Sequence, residues 1–182
     1  MYKLCHTEQS ARRQREMEQA LLNMMLQKRY EDISVENLCN SLQIPRRAFY
    51  RYFSGKEGAL YALIDHTLAD FFEIPMEKRA NATDELTQTF RYWKANKQLL
   101  DALAHSKLSG ILAERALVFS LQEGYMPRRF KRFPPEQQAL AMSFAVSGLA
   151  AIILTWHKQG FLLSPDELSD LAVTLLKNPL MP

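Results

Sequence analysis

The strongest chemical signal in the chain is a cluster of basic and hydroxyl side chains at Arg46, Arg47, Tyr50 and Arg51. They lie in the run Pro45-Arg46-Arg47-Ala48-Phe49-Tyr50-Arg51-Tyr52-Phe53. At helical spacing, positions 45, 48, 49 and 52 share one mostly apolar side, which leaves 46, 47, 50 and 51 on the other. A guanidinium can give two parallel hydrogen bonds to guanine O6 and N7. A phenol can reach a phosphate. Such a helix suits a major groove if neighbouring helices hold it there; the competing reading leaves its arginines in water. Lys56 adds a second clue. It falls in the first turn of the next helix, where the dipole disfavours a cation but favours a phosphate. A DNA phosphate held there by backbone N–H groups and Lys56 would explain the lysine; the alternative is a solvated side chain.

Charge distribution agrees. The chain has 182 residues and a formal net charge of +3. Residues 1–60 carry 10 Lys/Arg and 7 Asp/Glu, and residues 61–182 carry 13 of each, so the excess lies in the first third. A local basic face is what a polyanion binder needs. Other chemistries have no support. His6, His66, His105 and His157 are scattered. There is no Gly-rich phosphate loop, no nucleophile elbow and no zinc spacing, so no enzyme, cofactor or metal is expected. Cys5 and Cys39 lack ligand spacing, and a disulfide between them stays open. They read as a tail and a core residue in a reducing cytoplasm. The first 20 residues are too polar for a signal peptide. The apolar stretch Phe144–Trp156 is shorter than the ~20 residues of a membrane span and reads as a buried helix.

The elements that would position the arginines are all helical. Met17, Ala20, Leu21, Met24 and Met25 paint one helix face. After a turn at 30–33, Ser34 caps a short helix carrying Val35, Leu38 and Leu42. Pro45 suits the first turn of the third. Ser54 and Glu57 have capping-box spacing, opening a helix with Leu60, Leu63, Ile64, Leu68 and Phe71 inward. Pro75 would close it, placing a joint at 73–83. Beyond it, Leu86, Phe90 and Trp93 mark one helix, and Leu99, Leu100 and Leu103 another. Ser109–Gly110 is a break, and the next helix ends near Gly124. The loop that follows carries Arg128, Arg129, Lys131 and Arg132, a site for an acidic ligand or simply a solvated loop. Pro134 and Pro135 start a long helix to about Lys158, with Gly160 at its C′ position. Ser164-Pro165-Asp166-Glu167 opens a last helix, stopped by Asn178–Pro179. No run alternates with period two, so no sheet is expected.

Residues 33–63, ISVENLCNSLQIPRRAFYRYFSGKEGALYAL, resemble the DNA-binding region of TetR-type (tetracycline-repressor-like) regulators. The resemblance rests on Phe49-Tyr50-x-Tyr52-Phe53-x-x-Lys56-Glu57-x-x-Leu60, with Ser34 opening the second helix. It implies an all-α, cytoplasmic bacterial protein. A three-helix head at residues 1–55 is joined by a connecting helix, 55–73, to a helical dimerisation and ligand-binding part at 74–182. It also implies a homodimeric repressor on a palindromic operator, released by a small-molecule effector. By it, Arg46, Arg47 and Ala48 face bases, while Ser34, Tyr50, Tyr52 and Lys56 approach the backbone; Arg51 joins them from the helix pattern. The periodicity instead turns Tyr52 inward. The family usually has Gly where Gln43 stands, a place suited to φ > 0.

The ending Trp156-x-x-x-Gly160 followed by Ser-Pro-Asp-Glu-Leu looks like one TetR-type subgroup, which implies that the last two helices pair the subunits. Ser147, Gly148 and Ala151 would let helices approach closely beside Phe144 and Ile152, with Leu168, Leu171 and Leu175 from the last helix. The competing reading turns these residues into the subunit's own core. Residues that could line an effector pocket are Phe90, Trp93, His105, Phe119, Met142 and Trp156, though such stripes usually just pack. The expected partners are double-stranded DNA, a second copy and an effector, with no membrane. The alternative is a helical ligand-binding or protein-interaction module without sequence-selective DNA binding.

Overall fold

The computed structural model describes residues 1–74, 82–122 and 130–177. Among these the chain is helical, with no strand and one isolated bridge, Tyr2 to Phe53. The helices are α1 (Glu8–Met25), α2 (Val35–Ser41), α3 (Arg46–Tyr50), α4 (Lys56–Phe72), α5 (Ala82–Ala95), α6 (Lys97–His105), α7 (Gly110–Gln122), α8 (Pro135–Lys158) and α9 (Pro165–Lys177), with a short 3-10 turn at Tyr30–Asp32. The expected Pro75, Gly124 and Asn178–Pro179 boundaries, the 73–83 joint and Arg128 and Arg129 fall wholly or partly outside the described residues. Two compact units emerge. One comprises Met1–Ala69 with Gln98–Gly124, the other Asp70–Lys97 with Tyr125–Pro182.

In the first unit, Met17, Leu21, Leu22, Met25, Leu38, Phe49, Phe53, Leu60 and Ile64 form the core. Burying such side chains is the main favourable term in folding, at about 25 cal/mol per Å² of apolar surface. The α1 stripe also carries two polar residues inward, Gln14 and Glu18. Each is satisfied. Gln14 Nε2 donates to the Lys3 carbonyl at 3.2 Å, and its Oε1 accepts from Cys5 Sγ at 2.9 Å. Both Glu18 oxygens lie within 3.0 Å of His66 Nδ1. Asp65, also buried, takes the Arg115 guanidinium through both oxygens and the Tyr2 hydroxyl at 2.9 Å.

Residues 1–3 are therefore woven into this unit. Lys3 N donates to the Tyr52 carbonyl at 2.9 Å, and Ser54 N to the Met1 carbonyl at 3.0 Å. A Cβ on Gly58 would collide with that Met1 carbonyl. This corrects the expectation for Ser54: its hydroxyl donates to Met1 O at 2.8 Å instead of closing a capping box with Glu57, and Glu57 accepts from Tyr61.

The second unit packs Leu86, Phe90 and Trp93 of α5 with Met142, Ala150, Ile153 and Trp156 of α8 and Leu168 and Ala172 of α9 among its buried side chains. The capping box at α9 forms as expected: Ser164 N donates to Glu167 Oε2 at 2.8 Å and Glu167 N to Ser164 Oγ at 3.2 Å. These bonds favour the carboxylate and hold Glu167 below its ordinary pKa. Gly160 stands at C′ with φ 68°.

The long helix α8 departs from the expectation of burial. Its best 18-residue window has a mean hydropathy of 1.9, yet only 22% of that window is buried. Length and composition alone would let α8 cross a membrane. Leu140 and Phe144 are 71% and 62% exposed, and Ser147, Gly148 and Ala151 are exposed beside them.

Candidate nucleic-acid interface

The loop before α2 ends at Ser34, whose hydroxyl accepts from Asn37 N at 3.0 Å while Asn37 Oδ1 accepts from Ser34 N at 2.9 Å. This reciprocal cap uses Asn where a capping box commonly has Glu or Gln. Helix α2 closes with Ile44 N donating to Cys39 O and Gln43 N to Asn40 O, a Schellman arrangement. Its C′ residue is Gln43 at φ 53°, so the turn keeps the left-handed geometry that a glycine would adopt without strain. That turn launches α3 from Pro45, an extended residue with φ −70°.

On α3 the two sides separate as the spacing predicts. Phe49 is fully buried against Phe53, with ring centroids 5.0 Å apart. Arg46, Arg47, Tyr50 and Arg51 are exposed, and Ala48 is half-buried at the boundary. Tyr50 beside it raises the pKa of Arg46, an already permanent cation. The Arg51 guanidinium lies over the Tyr52 ring, 5.4 Å from its centroid. Among the described residues none of Arg46, Arg47 or Arg51 is in an ion pair.

Two expected backbone-contacting residues are placed differently. Tyr52 is only 6% exposed, as its periodicity indicates, and its carbonyl holds Lys3. The Lys56 ammonium donates to the carbonyls of Tyr30 and Ile33 at 2.6 Å each and approaches that of Glu31 at 3.4 Å. It also sits 4.2 Å from the centre of the Tyr30 ring. Burial pushes Lys56 below its ordinary pKa, opposed by Asp32 and Glu31. Its unfavourable place in the first turn of α4 is thus compensated inside the protein, by carbonyls that lead into the Ser34 cap. The short hydrogen bonds of the ammonium thus go to protein carbonyls.

The residues expected to line an effector pocket divide between the units. Phe90, Trp93, Met142 and Trp156 are buried in the second, where Phe90 meets Trp156 edge-on at 5.9 Å. His105 and Phe119 belong to the first; His105 Nδ1 lies 3.2 Å from Met25 O. Of the expected pairing residues, Phe144, Ser147, Gly148, Ala151, Leu171 and Leu175 are exposed and Ile152 is half-buried. Leu168 is 4% exposed and packs inward, a correction to its place on that face. Leu140 and Leu176, exposed at 71% and 59%, were not anticipated there.

Comparison with known proteins gives a consistent picture. Residues 80–178 match the family model TetR_C_8, described as a transcriptional regulator C-terminal region. A search of curated protein sequences finds no match. Among solved structures, the fold resembles the dihydroxyacetone kinase operon activator DhaS, at 20% identity and TM-score 0.56, over 90% of this chain and 93% of that one. It also resembles the fatty acid degradation regulator FadR from Bacillus halodurans, at 17% identity and TM-score 0.58, over 92% and 96%. A tetR-family transcriptional regulator from Streptomyces coelicolor matches at 18% identity and TM-score 0.52, over 92% and 84%. With more than half of its length matched by the family model, this chain belongs to the TetR-type transcriptional regulators.

Proposed function

We propose that the protein is a cytoplasmic bacterial repressor that binds a palindromic operator as a homodimer and is released by a small molecule. The observation that carries the DNA-binding part is the exposed face of α3, where Arg46, Arg47, Tyr50 and Arg51 face outward and none of the three arginines is in an ion pair among the described residues. Arg46, Arg47 and Ala48 read base edges; Ser34, Tyr50 and Arg51 fix the register on phosphates. Lys56 and Tyr52 serve this reading from behind, by holding the loop and turn on either side of α3. Residues 1–55 act as the reading head, helix 55–73 connects it, and 74–182 provide pairing and effector binding.

The pairing surface is proposed on α8 and α9. Phe144, Ser147, Gly148 and Ala151 lie at helical spacing and are exposed, and a Cβ at Gly148 would meet nothing within 4 Å. Leu171 and Leu175 add apolar area at 46% and 44% exposure. An apolar face of this kind is what a two-fold interface covers. The effector is proposed to enter among Phe90, Trp93, Met142 and Trp156. Selection of bound sequences from random DNA tests the proposal. It predicts a two-fold symmetric site with half-sites about one helical turn or slightly more apart. Recovery of unrelated sequences refutes it.

A further inference from the structure

Beside α3, the first unit holds a cationic cleft that shares Arg51 with the recognition face and extends beyond it. Its volume is about 510 Å³, and its lining includes Lys3, His6, Thr7, Ser10, Arg13 and Arg51 but no carboxylate. An adjoining cleft of about 230 Å³ shares Arg13 and Arg51 and continues to Ala48 on α3. Its one carboxylate, Glu16, is taken by Arg12 at 3.2 Å. Basic side chains therefore continue from α3 across to α1 and residue 3.

Their placement is built. Lys3 is fixed through both its backbone groups: its N–H donates to Tyr52 O at 2.9 Å, and its carbonyl accepts from Gln14 Nε2 at 3.2 Å. Gln14 is 2% exposed. A buried polar side chain is costly unless bonded, and this one is used to hold an exposed lysine. The residues that grip Lys3, Gln14 and Tyr52, are the chain neighbours of Arg13 and Arg51. One hydrogen-bonded knot thus places three cations around one cleft.

We infer that Lys3 and Arg13, with Arg51 between them and α3, form a second contact surface for the DNA sugar–phosphate backbone. The inference rests on the DNA-binding reading above and extends it to residues outside the helix-turn-helix. Backbone contacts add affinity and position without sequence preference.

The test compares the full chain with Lys3→Ala, Arg13→Ala and Arg13→Lys. Each is titrated over a salt series on a random-sequence duplex and on a duplex selected for tight binding. Each alanine variant is expected to reduce the slope of log affinity against log salt by about 0.9. It should weaken both duplexes by the same factor, with Arg13→Lys keeping the wild-type slope. If the wild type prefers the selected duplex and neither alanine changes the slope, this inference falls while the DNA-binding reading stands. A change in the ratio between the duplexes also overturns it, by moving the residue to base reading. A wild type that binds neither duplex overturns both.

Discussion

Replacing Lys56 by methionine keeps an unbranched side chain and removes the ammonium, which separates two accounts of this residue. The ammonium satisfies the carbonyls of Tyr30 and Ile33 at 2.6 Å each and lies over the Tyr30 ring. A hydrogen bond to a charged group contributes about 1.5–3 kcal/mol, and an exposed cation–π contact about 0.5–1 kcal/mol. Lys56 is half-buried, so water can reach part of what it leaves, and the expected net loss is about 2–3 kcal/mol. For a chain of this size about 2–4 °C accompanies each kcal/mol, giving a fall in Tm of about 4–12 °C. Circular dichroism measures the melting, and binding at a temperature where the variant is folded measures the salt slope. The structure predicts a lower Tm and an unchanged slope. An unchanged Tm with a slope reduced by about one ion would show the lysine on a phosphate and refute the reasoning.

Three further outcomes follow from the same structure. Arg115→Ala leaves the Asp65 carboxylate, 2% exposed, with the Tyr2 hydroxyl alone; stability should fall by about 3–5 kcal/mol in denaturant unfolding, and a change below about 1 kcal/mol would mean that the pair is not buried. Burial, then the Glu57 and Tyr61 charges, push the Tyr30 phenol from its ordinary 10.0 up to about 12. A folded-state pKa above the unfolded one means a contribution intact below pH 10.0 and lost as the pH climbs toward about 12. The denaturant midpoint should therefore drop across that window, less steeply in Tyr30→Phe, and equal slopes for the two proteins would contradict the shift. Phe144→Asp, at a side chain 62% exposed, should leave subunit folding within about 0.5 kcal/mol yet convert dimer to monomer in light scattering; an unaltered mass would remove α8 from the interface.

What the sequence made legible was whatever local chemistry decides. Ser34 and the Ser164–Glu167 pair cap the helix starts expected of them, because a cap needs only residues three apart, while Pro45 stands at the N-cap of α3, one position before the first turn expected for it. Gln43 was marked by a glycine it replaces, and its φ of 53° follows. The contacts that local spacing does not reveal depend on partners far along the chain. Ser54 is taken by Met1, 53 residues away, and Lys56 by carbonyls 23 to 26 residues before it. Gln14 and Glu18 share the helical spacing of the apolar stripe, but polar side chains there read as solvent-facing until Lys3 and His66 are known to meet them. Tyr52 was placed on DNA by resemblance and inside by periodicity; its burial follows the periodicity. Leu168 and Leu171 differ by one turn of α9, a rotation that composition alone does not resolve: one is 4% exposed, the other 46%.

In the proposed function, bases are read by the guanidinium face of α3. The most direct test of this is base-by-base preference, obtained by sequencing the DNA retained by the wild type, by Arg46→Ala and by Arg47→Ala. The account predicts that each substitution erases discrimination at particular base pairs, mirrored in the two half-sites, at about 1–3 kcal/mol each. Identical sequence profiles for all three proteins, with nothing but a common loss of affinity, would contradict it.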